Sequence, residues 1–577
     1  MVPTWFGPDA APLFGWFHAP ADGRMRGVVV LCPPVGLEML VTYRTLRILA
    51  DRLAATGVGV LRFAYATTGD SAGESTDPER VARWLASVGD AVSYARSAGA
   101  SRVVVAGVRL GATLAAAAAR TCSPLDGLVL WDPCESGASF LREEQALFRI
   151  GVPAPQRTSR LDGAVEGPGS LYPPEAVAAL GRVNVEALLD GADDTGADDT
   201  GADTDGVFPG AGPVLVVTRS ESRARAGVRR LASAAGVESF EAPGQTSLFD
   251  WLRLEVPVAT LDRIVEWVSR LLPDTGEDVV PQTRDAAVVT TTADGRAVRE
   301  RVVQVGAAGM FGIMTEVEGA GEAVMVMTNA APPACHIGPA RLWVELARAW
   351  AADGMRVLRF DDAGIGDSPG GGDLDGPAVY SESPVRDVVA AVQSVRAAGA
   401  RYVGLTGLCS AAWACLLAAA RVQVETVNAL NPGVWDVRPP RHLTQPRMVE
   451  PAVRLRSGRL PVVAGLKSRV RNAARLAARL LLPESVWWRL GRSGHIEAPA
   501  GLITPLILRG TRVRLLFGHR EASAFRERRG DRLMTRFGHG GPLEIHEAED
   551  IDHALMSLQA REVVVERLAA WVSTEHE

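Results

Sequence analysis

The feature that most constrains the fold of this chain is an internal repeat. The segment RILADRLAATGVGVLRF at 47–63 leads to Gly-Asp-Ser at 69–71, and VELARAWAADGMRVLRF at 344–360 leads to the same tripeptide at 366–368. The two segments are 297 positions apart. This self-similarity predicts a duplicated domain. The 577 residues are also too many for one hydrophobic core and suit two domains.

Two segments differ in composition from the rest of the chain. Residues 272–286, LPDTGEDVVPQTRDA, combine Pro, Gly and charges, and predict a boundary between a first domain at 1–275 and a second at 287–577. Residues 190–206, DGADDTGADDTGADTDG, have no apolar face to bury and predict a flexible acidic surface loop. A calcium-binding repeat is the alternative, but the segment lacks the apolar positions of a β-helix turn.

Both copies show the same order of predicted elements. Runs rich in Val and Leu or Met, such as VVVLCP at 28–33 and VMVMTN at 324–329, predict buried strands, and Ala/Leu/Arg stretches between them predict covering helices. This alternation predicts an α/β fold in each copy, a mostly parallel sheet with helices on both faces. Functional sites in such sheets lie at the carboxyl ends of the strands.

Composition excludes several classes of protein. A net charge of −6 gives no global reason to expect nucleic acid binding, and no apolar stretch is long enough to span a bilayer. The N-terminus lacks the pattern of a secretory signal, and six cysteines without CxxC pairing favour a reducing cytoplasm. The Ala, Val, Arg and Gly content suggests a GC-rich bacterial genome. No His/Cys/Asp cluster has metal-ligand spacing, so we expect neither metal nor cofactor.

Each copy places a tight turn directly after a predicted strand. VGLTGLCSAA at 403–412 has Cys409 at the apex between Gly407 and Ala411, and VVVAGVRLGA at 103–112 has Arg109 there. The turn resembles the nucleophile elbow of the α/β-hydrolase superfamily, with Cys for the more usual Ser. A thiol at a helix N-terminus has a lowered pKa and is a good nucleophile.

Two alternatives to a Cys409 nucleophile stay open from the sequence. Cys409 could be a buried structural cysteine, as we expect for Cys415, and the adjacent Ser410 is a rival nucleophile. In the elbow register, however, Ser410 lies one residue past the apex. Its backbone N–H is therefore predicted to stabilise the oxyanion.

The resemblance to α/β-hydrolases implies the rest of a triad. His553 lies before the last predicted helix, where the superfamily carries its general base, and His546 and His539 are the alternatives. Glu521 follows the predicted strand 513–517, where the superfamily carries its acid. The chain order of nucleophile, acid and histidine is that of the superfamily.

A second oxyanion donor is implied in the loop 328–342, TNAAPPACHIGPARL. Ala330 would supply the N–H, and His336 nearby is a predicted substrate-binding residue. With LRFDDAGIGDS and, in the first copy, CPPVGLE at 32–38, this loop resembles the exosortase-associated, serine aminopeptidase-like α/β-hydrolases found near exopolysaccharide loci. The turn GLCSAA departs from the GCSGA-like turn of that subset.

The first copy cannot assemble a triad by itself. Its one histidine is His18, and the segment 244–254, equivalent to the catalytic histidine loop, contains none. Arg109 stays protonated and is neither base nor nucleophile. It either binds an anionic group such as a carboxylate or phosphate or, as we favour, caps carbonyls or pairs with an acid such as Glu38 in a degenerate pseudo-enzyme domain.

The second copy carries a basic insert at about 436–500, where the superfamily has a substrate-covering cap. The run at 466–490 has apolar residues at helical spacing and arginines on its other face, which predicts an amphipathic cap helix. The basic face needs no partner, but it would also steer an acidic carrier protein or a coenzyme A thioester. Membrane-surface attachment is a third interpretation. Trp487 would line an acyl pocket or fill the cap core.

The predicted function is acyl transfer through a thioester on Cys409, with His553 as base and Glu521 orienting it. The enzyme would be an acyltransferase or a thioesterase or esterase. Two alternatives remain. One is a non-catalytic binding or scaffold protein, which the Arg109 elbow favours. The other is a small-substrate ester or peptide hydrolase.

Overall fold

The computed structural model describes residues 1–152, 162–189, 210–244, 255–274, 276–329, 335–370, 379–439, 481–538 and 541–573. The strands of the first copy are β1 (Val2–Phe6), β2 (Leu13–His18), β3 (Arg24–Met25), β4 (Val28–Cys32), β5 (Gly59–Phe63), β6 (Val103–Val108), β7 (Gly127–Trp131), β8 (Val165–Gly167), β9 (Ser170–Tyr172), β10 (Val214–Arg219) and β11 (Val237–Ala242).

Eight of these strands form one sheet in the order β1-β2-β5-β4-β6-β7-β10-β11. The pairs β1–β2 and β2–β5 are antiparallel, and all the later pairs are parallel. The central parallel strands β4 to β7 are rich in Val and Leu and buried along their length, as expected for strands covered on both faces. Strands β8 and β9 form a separate hairpin.

In the described part of the first copy, seven α-helices accompany this sheet. They are α1 (Leu37–Ala55), α2 (Arg80–Ser97), α3 (Leu110–Ala118), α4 (Gly137–Gly151), α5 (Pro174–Arg182), α6 (Ala226–Ala232) and α7 (Val258–Leu271). Helix α1 buries Leu46, Leu49 and Leu53, which share one face at helical spacing, against one side of the sheet. Helices α2 and α3 pack on the opposite side through residues such as Trp84 and Leu114.

The second copy contains β12 (Glu277–Asp278), β13 (Ala286–Thr291), β14 (Ala297–Val305), β15 (Met310–Val317), β16 (Ala323–Thr328), β17 (Arg356–Phe360), β18 (Tyr402–Leu408), β19 (Thr426–Leu430), β20 (Arg512–Phe517) and β21 (Leu543–Glu547). Its sheet has the order β13-β14-β15-β17-β16-β18-β19-β20-β21. Without the extra edge strand β13, this order repeats that of the first sheet. Strand β12 pairs with β3 of the first copy.

The helices of the second copy are α8 (Leu342–Ala352), α9 (Glu382–Ala397), α10 (Ser410–Ala419), α11 (Glu484–Arg492), α12 (Pro499–Leu508), α13 (His519–Glu527), α14 (Asp531–Phe537) and α15 (Leu558–Ser573). Helices α8 and α15 cover one face of the sheet through residues such as Leu346 and Val564. Helices α9, α10 and α12 cover the other through residues such as Val388 and Ile503.

This architecture confirms the predicted α/β class and shows two tandem copies, each a mostly parallel sheet covered by helices. The acidic loop at 190–206 and the cap segment 440–480 lie outside the described residues. Helix α7 ends at Leu271 and β13 begins at Ala286, while the boundary itself stays a prediction. Among the described helices, none has the length and hydrophobicity needed to cross a bilayer.

The two copies meet through reciprocal ion pairs between their repeated motifs. Arg62 of the first LRF segment pairs with Asp367 of the second Gly-Asp-Ser at 2.7 Å. Arg359 of the second LRF segment pairs with Asp70 of the first Gly-Asp-Ser at 2.6 Å. Equivalent residues therefore exchange partners, which is the pattern of a two-fold symmetric dimer interface. The two copies of this chain therefore contact each other as the subunits of a symmetric dimer do, although they are covalently linked.

Apolar residues follow the same pseudo-two-fold arrangement. Phe14 and Phe311 occupy equivalent positions of the repeat, and their ring centroids lie 6.2 Å apart. The ring centroids of Trp16 and Phe311 lie 4.8 Å apart, and Phe14, Trp16 and Phe311 are all buried. The copies are therefore joined by a hydrophobic cluster as well as by charges.

Candidate active site

Cys409 lies at a strained turn between β18 and α10. Its φ of 56° and ψ of −111° fall in a region that residues other than Gly rarely adopt, and Arg109 of the first copy has nearly the same values, 54° and −123°. Gly407 permits the turn, because a Cβ there would lie 2.7 Å from the carbonyl carbon of Ala411. Such strain is kept where the surrounding structure holds it, and it clusters at functional sites.

His553 and Glu521 come together beside Cys409. The Nδ1 atom of His553 lies 2.9 Å from Oε1 of Glu521, which is buried in the first turn of α13. The His553 imidazole also lies beside the Cys409 thiol, close enough for each group to shift the pKa of the other. The sequence therefore identified three residues that the fold brings into one chain of contacts, in the order thiol, imidazole, carboxylate.

The three groups shift one another's pKa values. Burial opposes ionisation of Cys409, but the hydrogen bond and charge of His553 outweigh it and lower the pKa of the thiol. The hydrogen bonds to Cys409 and Glu521 raise the pKa of His553 to about 10. Burial likewise opposes the charge of Glu521, yet its contact with His553 lowers the pKa of that carboxyl. The arrangement favours a thiolate–imidazolium pair at neutral pH.

Tyr380 is a site residue that the sequence analysis missed. Its hydroxyl lies 3.6 Å from Sγ of Cys409, and the ring is buried against Trp413. Burial and the neighbouring Cys409 raise the pKa of Tyr380, so the phenol stays protonated and can donate to the thiolate. No local motif marks it, because the loop before α9 reaches Cys409 only in the folded chain.

Asn431 is a second residue that the sequence did not predict for the site. It connects the segment of His553 with the segment before Glu521. Its Nδ2 donates to the carbonyl oxygens of Asp552 and His553, each at 3.1 Å, and its Oδ1 accepts from the N–H of Gly518 at 2.8 Å. It follows β19 directly and has a φ of 44°. The side chain thus joins the loop of His553 to Gly518, directly before the helix that carries Glu521.

The predicted oxyanion donors are only partly described. Ser410 is buried as the first residue of α10, and its backbone N–H points to the Cys409 thiol. The N–H of Cys409 itself is used by the carbonyl oxygen of Leu430 at 2.8 Å. Ala330 lies outside the described residues. Its role stays a prediction.

The alternative base His546 lies outside the contacts of Cys409, His553 and Glu521. His546 is on β21, as the alternation of its segment predicted, and burial lowers its pKa. His539 lies outside the described residues.

His336 belongs to the junction between the copies. Its Nδ1 lies 3.0 Å from Asp361 and its Nε2 lies 2.7 Å from Asp70 of the first copy. Both ring nitrogens are used by carboxylates, so neither is left for the substrate contact that the sequence predicted. Although burial opposes the charge, the two carboxylates raise the pKa of His336 to about 10.

The same residues form the group that most resembles a metal site among the described residues. Ligand atoms of Cys335, His336 and Asp361 lie within 4.8 Å of one another, and all are buried. A protonated imidazole cannot ligate a metal, and burial raises the pKa of the Cys335 thiol. The cluster therefore fits an ionic contact between the copies better than it fits a metal.

Arg109 and Trp487 are both packed within the protein. Arg109 pairs with Glu38 at 2.9 Å, which confirms the predicted pairing, and it also contacts Glu143. Trp487 on α11 is buried beneath the guanidinium of Arg529, 4.7 Å from the ring centroid. This contact fits the interpretation in which Trp487 fills the core of the cap.

Known proteins resemble this chain only at the level of structure. No protein-family model and no curated protein sequence matches it. Est1E from Butyrivibrio proteoclasticus has a TM-score of 0.34 and 15% identity over 47% of this chain and 99% of that protein. Proline iminopeptidase of Mycobacterium smegmatis has a TM-score of 0.31 and 14% identity over 47% and 98%. An α/β serine hydrolase without a lid from Xanthomonas campestris has a TM-score of 0.27 and 13% identity over 47% and 94%.

The contact between Tyr380 and Cys409 predicts a measurable change in thiol ionisation. In the wild type, alkylation of Cys409 by iodoacetamide should begin below the pH at which an ordinary cysteine reacts, because its pKa is lowered. Tyr380→Phe removes a hydrogen bond to the thiolate. The pH at which alkylation of Cys409 begins should therefore increase by roughly half a unit to one unit. Tyr94→Phe, which loses a phenol hydrogen bond in the first copy, is the control. An unchanged profile in Tyr380→Phe would exclude the contact.

Proposed function

We propose that the second copy catalyses acyl transfer through a thioester on Cys409. The observation that carries this proposal is the approach of a partly buried thiol, at a strained turn, to a histidine that pairs with a buried carboxylate. Geometry of this kind activates a nucleophile on unrelated folds. The first copy, with Arg109 at its turn and no histidine partner, would not carry out this chemistry.

In the first half-reaction, the Cys409 thiolate attacks the acyl carbonyl carbon and the carbonyl electron pair moves to oxygen. The backbone N–H of Ser410 would stabilise that oxyanion, with the loop around Ala330 as the second donor. The tetrahedral intermediate then expels the leaving thiolate or alkoxide, which takes its proton from His553. Glu521 holds the imidazole in orientation and stabilises its charged form.

In the second half-reaction, His553 removes a proton from the acceptor as the acceptor attacks the thioester carbon. The tetrahedral intermediate then collapses, the C–S bond breaks, and Cys409 leaves as the thiolate beside the protonated His553. Water as acceptor gives a thioesterase or esterase, and an amine or hydroxyl gives an acyltransferase. The donor would be a coenzyme A or carrier-protein thioester, which the basic insert would attract. We further propose a cytoplasmic, bacterial protein of the exosortase-associated subset, on the motifs quoted above.

Turnover of acyl thioesters tests this function. Wild-type protein should release free thiol from a panel of acyl-coenzyme A substrates, with or without added amines and alcohols. Cys409→Ala should lose this activity at least about a thousandfold, since the covalent route is closed. Cys122→Ala, which removes a buried thiol in the first copy, should retain it. Equal turnover by Cys409→Ala and the wild type would refute the proposal.

A further inference from the structure

A cleft of about 890 Å³ lies between the two copies and is lined by His553 and Glu521 of the candidate active site. One wall comes from the second copy and includes His553, Glu521 and Met556. The opposite wall comes from the first copy, from the start of α1 and the C-terminal half of α4. A volume of this size holds a small-molecule ligand. The reacting histidine therefore faces the copy that has no triad.

The wall supplied by α4 is apolar and exposed. Leu147 and Ile150 lie one helical turn apart with 45% and 83% of their surfaces exposed, while Phe148 anchors the helix in the core at 5%. Leu37 and Val41 of α1 extend the same lining. Neighbouring exposed apolar side chains mark a binding surface more often than an isolated one does.

The first copy is also fixed to the loop that carries His553. The N–H of Gly169, in the β8–β9 hairpin, donates to the carbonyl oxygen of Met556 at 2.7 Å. Oε1 of Glu166 accepts from the N–H of Leu558 at the start of α15, also at 2.7 Å. These contacts hold the apolar wall and the histidine loop in one register.

The polar end of the cleft carries paired charges. Arg109 is held by Glu38 and Glu143, and Arg219 makes a bidentate contact with Asp132. Because these guanidinium groups are neutralised by carboxylates, that end gives little attraction for a charged substrate tail. The lining near α4 instead favours an apolar group.

We propose that the first copy supplies the acyl-binding wall of the second copy's active site, and that the substrate carries an apolar acyl chain longer than acetyl. This inference rests on the proposed function, because the chain is the acyl group held on Cys409. Burial of each methylene against the wall should favour acylation by about fourfold. The wild type should therefore prefer decanoyl over hexanoyl over acetyl donors.

The test compares acylation of Cys409 by acetyl, hexanoyl and decanoyl thioesters of N-acetylcysteamine. Leu147→Ser and Ile150→Ser should each lower kcat/KM for the decanoyl donor about tenfold, and the acetyl value should change less than about twofold. Ile150→Trp should shorten the cleft and also disfavour the decanoyl donor. Val280→Ser is the control, because Val280 is an apolar residue of similar exposure, 73%, outside the cleft lining.

The outcomes separate this inference from the proposed function. If the wild type is not acylated even by the acetyl donor, the proposed function fails. If acylation occurs but the decanoyl preference survives in Leu147→Ser, Ile150→Ser and Ile150→Trp, the wall is not where the chain binds. If the variants react faster than the wild type by the same factor with the acetyl, hexanoyl and decanoyl donors, a segment of this protein occupies the cleft. That result would also overturn the inference.

Discussion

His553→Ala should slow acylation of Cys409 by about a hundredfold to ten-thousandfold at neutral pH. In the proposed mechanism, the imidazole stabilises the thiolate, whose pKa it lowers, and protonates the leaving group. Without it, only Tyr380 and the backbone N–H of Ser410 oppose the effect of burial, and the pKa of the thiol should rise. Single-turnover measurements of acyl-enzyme formation, followed by stopped-flow, give the rate directly.

His546→Ala is the matched control for this change. His546 is a partly buried histidine of the same copy, on β21, and is not part of the Cys409–His553–Glu521 chain of contacts. Its replacement should leave the acylation rate within about twofold of the wild-type rate. Equal rates for His553→Ala and His546→Ala, with both variants folded, would remove His553 from the mechanism.

Arg359→Ala should destabilise the protein by about 3–5 kcal/mol. The Arg359 side chain is 0% exposed and pairs with Asp70 of the first copy and Glu300 of the second, at 2.6 and 2.9 Å. Its removal leaves the buried carboxylates of Asp70 and Glu300 with fewer compensating charges. The loss of stability should therefore exceed the loss from breaking an exposed ion pair. Urea titration of Arg359→Ala and the wild type measures the change in the free energy of unfolding.

The surface pair of Arg270 and Glu238 provides the comparison. Both side chains are 59% exposed, and their contact is 2.7 Å. Arg270→Ala should therefore cost no more than about 1 kcal/mol, because solvent screens the pair. If Arg359→Ala cost no more than Arg270→Ala, the ion pairs between the copies would not stabilise the junction.

The sequence predicted the features that are local in the chain. The repeat, the alternating elements and the turn at Cys409 each occupy a short segment, so periodicity and spacing were sufficient to find them. The approach of Glu521 to His553 could also be predicted, because the carboxyl ends of parallel strands share one edge of the sheet.

Contacts between the two copies could not be predicted from local sequence patterns, because they join segments far apart in the chain. His336 was interpreted as a substrate-binding residue because it lies near a catalytic loop, yet its partner Asp70 is 266 positions away. The repeated LRF and Gly-Asp-Ser motifs marked the duplication, but their exchange of ion pairs depends on how the copies dock. Tyr380 reaches Cys409 through a loop without any distinguishing pattern.

Mass spectrometry of the acylated protein tests the central claim most directly. After brief incubation with an acyl thioester, the wild type should gain the mass of one acyl group, and Cys409→Ala should gain none. Trypsin places Cys409 and Cys415 on the same peptide, 402–421, so fragment ions or a Cys415→Ala background must separate the two thiols. A thioester on Cys409 is the predicted result. An adduct on Cys415, or equal labelling of Cys409→Ala, would contradict the account.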